Sequence, residues 1–216
     1  MSGGFAQAQV VALDAANLSR IHPVSAASVF WEVDPLAPGF YTSDSAIDKS
    51  LWLTRRALEQ ATVGFSIVAA GVSSGALATV LYCPAEEAPG AVRMPTAPVS
   101  KDAWLVSSLH IDPPRRHSGW ESVLLDSAIM AATGAGAEAL EVFGVRRTGE
   151  ASSAAEKIRR HAHSIGLVEV SLLEGAGFEV HQDHPVIPRL RLRLPPAHDL
   201  LSAQEIDELL AKSPLA

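Results

Sequence analysis

Hydrophobic positions along the chain follow two periods, and their order predicts a sheet carrying helices. AQVVALD reads as a short strand, after which Asp14 or Asn17 is placed to cap a helix. VSAASVFWEVDPLAPGFY then runs from a helix-like stretch into a Pro/Gly turn. Over 44–61, Ile47, Leu51, Leu58 and Ala61 recur at helical spacing, and Trp52 and Leu53 widen the stripe, the pattern of a helix lying against a core. TVGFSIVAA and ALATVLYCP flank GVSSG and read as a hairpin, followed by a Pro-, Ala- and Glu-rich loop over 84–100. AWLVSSLHI is a further strand that stops at Asp112-Pro113-Pro114, where two prolines force a turn. In SGWESVLLDSAIMAATGAG, Val123, Leu124, Ser127, Met130 and Ala131 mark a helix that Gly134 and Gly136 end. EALEVFG follows as a strand, so this strand–helix–strand is a crossover unit, right-handed by the general rule.

The region 145–165 is polar and basic, with a short helix at SSAAEKIRRHAHS, and LVEVSLLEGAGF reads as a helix ending at Gly175 or Gly177. In FEVHQDHPVIPRLRLRLP, Leu190, Leu192 and Leu194 alternate with Arg189, Arg191 and Arg193, a strand with one polar face. SAQE at 202–205 is a capping box that opens a short amphipathic helix.

Composition narrows the class. With 216 residues, 48% of them hydrophobic and 19% charged, the chain suits one large domain or two halves sharing a sheet, without needing a disulfide or structural metal. The expected layout is one domain over 1–196 and a C-terminal helical tail over 197–216. The single cysteine, Cys83, sits in the apolar run ATVLYCP and reads as a buried strand residue rather than a nucleophile. The start, MSGGFAQAQV, shows no basic segment leading into an apolar one, and no run approaches the roughly 20 apolar residues that span a bilayer. A cytoplasmic protein with no membrane partner is expected. The net charge of -7 argues against a general nucleic-acid binder, and Arg146/Arg147 with Arg159/Arg160 read as a solvated basic face. His161/His163 and His181/His184 lack a Cys or Glu frame at zinc spacing, so no metal is expected. No Gly-x-Ser-x-Gly elbow is present, which argues against a hydrolase of that type.

The stretch LVSSLHIDPPRRHSGWESVLLDSAI carries the candidate chemistry. A strand ends, a loop brings Arg116 and Gly119, and a helix begins. Unpaired amides and the positive end of the helix dipole make such a start a natural pyrophosphate cradle, and a glycine lets backbone approach the anion. The order of elements and the spacing Arg116-x-x-Gly119-x-x-x-x-Leu124-Leu125 resemble the pyrophosphate loop of GNAT N-acetyltransferases. That family's pattern is Leu-x-Val-x-Pro, then Arg/Gln-x-x-Gly-x-Gly/Ala, then a helix, and it is matched here by Leu109, Ile111, Pro113, Arg116, Gly119, Leu124 and Leu125. PTAPVSKDAWLVSSLHI, EALEVFG, EGAGFEV and HPVIPRLRLRL, with FWEVDP near the start, are similar to an actinobacterial group of that family over most of 10–195.

The resemblance implies an α/β (α+β) GNAT fold, a mixed and mostly antiparallel central sheet flanked by helices. It implies acetyl-CoA as cosubstrate and no metal. The backbone of Leu109, His110 and Ile111 would pair with the pantetheine arm as an added strand, one N–H there serving as oxyanion donor. The amides of Arg116, His117, Ser118, Gly119, Trp120, Glu121 and Ser122 would hold the pyrophosphate. A neutral amine, on a small molecule or a peptide, would attack the thioester directly. Pairing of C-terminal strands between subunits makes a homodimer a further expectation.

The chain also departs from that pattern. One of three loop glycines remains, with His117 and Glu121 in the other two places and Ser118 where a basic residue is common. Glu121 favours the bare helix by about 0.3–1 kcal/mol, yet it is a like charge for a bound pyrophosphate unless it turns outward; both readings stand at this level. The tyrosine that serves as general acid in many relatives corresponds to Leu173, before Gly177-Phe178, and a strand glutamate found in some corresponds to the neighbourhood of Leu105. A thiol with a pKa near about 8.5 leaves tolerably without a proton donor. Glu32, Asp34 and His110 are the candidate bases, and Glu32 and His110 are the catalytic candidates carried forward. Their plain readings are a surface charge after Trp31 and a residue alternating outward on a strand. Trp31, Trp52 and Trp104 read as core or pocket wall, and Ser107 and Ser108 as strand residues facing a groove. The alternative function is a non-catalytic GNAT-fold module that binds a ligand or a protein.

Overall fold

In a computed structural model of the chain, residues 7–34 and 44–212 are described. Eight strands form a mixed, mostly antiparallel sheet flanked by helices, the α/β class that the pattern and the resemblance imply. The strands are β1 (Ala8–Leu13), β2 (Gly64–Ala69), β3 (Ala78–Pro84), β4 (Ala103–Ile111), β5 (Ala139–Val145), β6 (Val168–Glu169), β7 (Glu179–Gln182) and β8 (Arg189–Arg193). Their order across the sheet is β1-β2-β3-β4-β5-β8-β7, with β6 alongside β5. Neighbours are antiparallel except β4–β5 and β5–β6. The helices are α1 (Pro23–Ala27), α2 (Ser45–Glu59), α3 (Trp120–Gly134), α4 (Ser153–Arg160), α5 (Ala162–Ile165), α6 (Val170–Gly175) and α7 (Ala203–Ala211). Among the described residues, no helix is long and apolar enough to cross a membrane.

One face of the sheet packs on α3, α6 and α7, where Val123, Leu124 and Ile129 are fully buried with Val80, Leu140 and Leu190. At about 1.5–3 kcal/mol per buried side chain, this face supplies a large part of the driving force for folding. The other face packs on α2 and the 3-10 turns of the 84–100 loop, around Trp31, Trp52, Leu81, Cys83, Leu105 and Phe143. Cys83 has no exposed surface, as its apolar run suggests. The SAQE capping box forms with both of its hydrogen bonds, and Leu209 and Leu210 of α7 pack into the α3 side.

Several expectations are corrected. Asp14 and Asn17 cap no helix; they close a turn on each other, and the helix that follows is the short α1. The turn expected after it lies mostly outside the described residues. In α2 the apolar stripe faces outward: Ile47, Leu51 and Leu58 are 58%, 64% and 76% exposed. The buried face is Lys49, Trp52, Leu53, Arg56 and Ala57, itself an i, i+3, i+4, i+7, i+8 series. Turning Trp52 inward buries more apolar area than Leu51 offers, and the two cations buried with it find carboxylates, Lys49 on Glu32 and Arg56 on Glu59. The segment LVEVSLLEGAGF begins as the strand β6, not as a helix. The polar face of β8 is not wholly solvated: Arg189 is buried with its guanidinium on Glu141, which has no exposed surface and also accepts from Arg191 at 3.0 Å.

The feature that positions the site is a bulge in β4. Ser108 pairs with Leu81 but Val106 pairs with Tyr82, so Ser107 is an extra residue. Before it Val106 faces the α3 side and Leu105 the opposite side. After it Leu109 and Ile111 face α3, and His110 turns to the side of α1. β4 pairs with β5 only over Ala103–Val106, and beyond the bulge the two strands part.

Candidate active site

Where β4 leaves β5, both freed edges take hydrogen bonds from one later segment. The edge of β5 at Gly144 and Val145 pairs with β6. On β4, the Leu109 N–H donates to the Gly166 carbonyl at 2.9 Å. Gly166 fits there because it has no side chain: a Cβ on it would lie 2.5 Å from Ser108 Cβ and 2.9 Å from the His110 ring, and its φ is +76°. Below this crossing lies an open cleft of about 270 Å³ between the end of β4, the loop before α3 and the β6–α6 segment.

The loop runs through a 3-10 turn at Pro113–Arg115, His117 at φ +60° and Gly119 at φ +91°, into α3. Glu121, in the first turn of α3, is 4% exposed and turns inward. Its Oε1 accepts the His117 N–H at 2.8 Å, and its Oε2 is buried with no hydrogen-bond partner. The carboxylate thus sits on an amide of the loop that leads into α3. Gly119 fails to point its open side into the cleft: a Cβ there would lie 2.7 Å from Leu209 Cδ2 of α7. The Ser118 hydroxyl donates to the Arg115 carbonyl. Trp120 is fully buried among the core residues under α3, and Ser122 is exposed.

Of the expected cofactor residues, Leu109, Ile111, Arg116, His117 and Glu121 line the cleft. His110, Ser118, Gly119, Trp120 and Ser122 do not. Arg147, His163 and Glu169 also line it and were missed. They come from segments that read as solvated surface or plain helix, and the only signal was the basic Arg146/Arg147 pair beside two histidines. Arg147 is paired with Glu169 at 2.7 Å, and the Arg116 guanidinium lies 2.7 Å from His163 Nε2. Burial, then the Arg116 charge, pushes His163 below the usual imidazole range.

His110, with no exposed surface, lies on the other face in a polar group. Ser25 Oγ is 2.8 Å from its Nδ1, and its Nε2 faces the Ser164 carbonyl at 3.4 Å. If Nε2 carries the proton, Ser25 donates to Nδ1. Burial pushes the imidazole down to about 3, the His22, Lys49 and His163 charges act in the same direction, and the Ser164 carbonyl opposes them. So low a value makes His110 neutral and a weak base at ordinary pH. The His22 ring stacks on it at 5.8 Å, accepts the Val24 N–H and donates to Asp112 at 3.0 Å. Glu32 is not at the cleft. Its carboxylate accepts from the Lys49 ammonium at 2.5 Å, with side chains 1% and 2% exposed. Leu173 is fully buried in the core. Among the described residues, no group of three or more His, Cys, Asp and Glu is arranged to hold a metal ion.

No family model matches the chain, and no curated protein does. Solved structures of acetyltransferases resemble it. The ribosomal-protein-S5-alanine acetyltransferase from Vibrio fischeri is 12% identical, over 92% of this chain and all of that one, with a TM-score of 0.49. An acetyltransferase of the GNAT family from Streptococcus pneumoniae is 12% identical over 87% and 99%, also at 0.49. An N-acetyltransferase from Staphylococcus aureus Mu50 is 14% identical over 87% and 98%, at 0.47. At these values the likeness carries no conclusion about chemistry, which rests on the site.

Proposed function

We propose that the chain is a GNAT-type N-acyltransferase that takes a pantetheine thioester, of which acetyl-CoA is the expected donor, in the cleft beside β4 and passes the acyl group to an amine by direct attack. The observation that carries this reading is the parting of β4 from its parallel neighbour at the Ser107 bulge, directly before a loop and a 15-residue helix. A strand edge freed in this way suits the amides of a pantetheine arm, which add to it as a further strand. The Leu109 N–H would exchange the Gly166 carbonyl for the thioester carbonyl, one acceptor for another, and act as oxyanion donor. Leu109 and Ile111 would line the arm, and Arg116 and His117 its outer end. No well-placed base accompanies them. An α-amine, with a pKa near about 7.7–8.0, needs less help than a lysine near 10.4, so a small-molecule or peptide α-amine is the acceptor of choice. The protein would act in the cytoplasm through the domain over 1–196, with the helix over 197–216 as its tail.

Titration with acetyl-CoA and acetyl-pantetheine, together with transfer of labelled acetyl to a panel of amines, tests this. Binding and transfer are expected from the native chain and not from Ala162→Trp, which fills the cleft from the short α5. No binding of either thioester at millimolar concentration would overturn the reading. Gly119→Trp is a poor probe, because it would displace Leu209 as well.

A second reading, a non-catalytic binding module, is favoured by three contacts made within the chain: Gly166 O on the Leu109 N–H, Glu121 on the His117 N–H, and Leu209 against Gly119. Binding without transfer to any amine, at native-like affinity, would support it over the first.

A further inference from the structure

We infer that Glu121 confines recognition of the acyl donor to its pantetheine arm, giving no purchase to a pyrophosphate beyond it. This rests on the acyl-donor reading above. A helix start normally attracts an incoming anion through its free amides. Here the first turn of α3 carries a carboxylate of its own, Glu121, turned back onto the His117 amide of the preceding loop at 2.8 Å. That carboxylate is 4% exposed and lines the cleft, and its second oxygen has no hydrogen-bond partner. A carboxylate held at this place, with no cation paired to it among the described residues, repels a phosphate.

The surrounding charges do not reverse this. Arg116 and Arg147 line the cleft, but so do Glu121 and Glu169, and Arg147 is already paired with Glu169. Two cations against two anions leave no net positive field for a carrier bearing several negative charges. A pantetheine arm asks for something different: N–H and C=O partners along β4, which the Glu121 charge leaves untouched. Affinity for the donor is therefore set by its acyl-pantetheine part, whatever the carrier beyond it.

Acetyl-pantetheine, acetyl-4′-phosphopantetheine and acetyl-CoA are titrated into the native chain and into Glu121→Gln. Glutamine keeps a carbonyl oxygen for the His117 N–H and removes the charge. The native chain should bind all three within about threefold, and Glu121→Gln should tighten acetyl-CoA by about tenfold or more while leaving acetyl-pantetheine within about twofold. The native comparison stands by itself if the variant does not fold. Native binding of acetyl-CoA about tenfold tighter than acetyl-pantetheine, or no gain for acetyl-CoA in a folded Glu121→Gln, would overturn this inference and leave the acyl-donor reading intact. No binding of any of the three to either protein overturns both.

Discussion

Replacing Lys49 with methionine should destabilise the protein by about 3–5 kcal/mol, the usual cost of removing one partner from a buried ion pair. The Glu32–Lys49 pair meets the conditions for the full cost. Both side chains are almost wholly excluded from water, the ammonium donates to Oε1 at 2.5 Å, and Oε2 has no hydrogen bond that might hold the charge once Lys49 is gone. Methionine retains most of the aliphatic volume, so little of the loss comes from a cavity. The contact of the ammonium with the Trp52 ring, 5.6 Å to its centre, adds up to about 2 kcal/mol for a cation out of water.

Glu32→Gln should cost a similar amount by stranding the ammonium. Replacing both partners with apolar residues of like volume should cost much less than the sum, because no charge is left unpaired. Urea denaturation followed by two probes measures this, with an unchanged m-value as the condition for comparing midpoints. The melting temperature of Lys49→Met should fall by on the order of 10 °C. A loss within about 1 kcal/mol of the native chain, or single effects that simply add in the double variant, would refute the reasoning.

Two other outcomes follow from burial. His110 titrates at about 3 in the folded chain against roughly 6.5 unfolded, so its neutral form contributes stability that is complete above about pH 6.5 and is lost as pH falls toward about 3. The slope approaches about 1.4 kcal/mol per pH unit, and His110→Asn should remove it; equal slopes for the two proteins between about pH 4 and 6 would count against the buried neutral ring. Cys83 is fully buried, and burial first, then the Glu32 charge, pushes its thiol far above the ordinary range. It should react with a thiol reagent only at the rate of unfolding, and rapid labelling of the folded chain would contradict its placement.

Much of the fold is legible in the sequence because periodicity is local. The apolar run AWLVSSLHI, stopped by Asp112-Pro113-Pro114, and the helical spacing of Val123, Leu124 and Ser127 locate β4 and α3 without reference to the rest of the chain, and SAQE locates the start of α7. The loop between β4 and α3 is equally visible, since proline and glycine act through their own backbone limits. Which way an element turns is another matter. In α2 two overlapping stripes exist, one around Leu51 and one around Trp52, and only the packing partners choose the second, drawing Lys49 and Arg56 inward to carboxylates far off in sequence or on the same helix.

The site divides in the same way. The sequence by itself determined that a strand, a turn and a helix start meet at 105–125, and that Glu121 lies in the first turn. Tertiary structure alone decided where Glu121 points, because its partner, the His117 amide, is presented by a left-handed residue that no pattern marks. It also decided that Ser107 is an extra residue, that His110 therefore leaves the face occupied by Leu109, and that the far wall of the cleft comes from 145–172. The physical reason is shared: a bulge and a crossing segment are set by hydrogen bonds between strands distant in the chain, and side-chain periodicity within one strand carries no record of them.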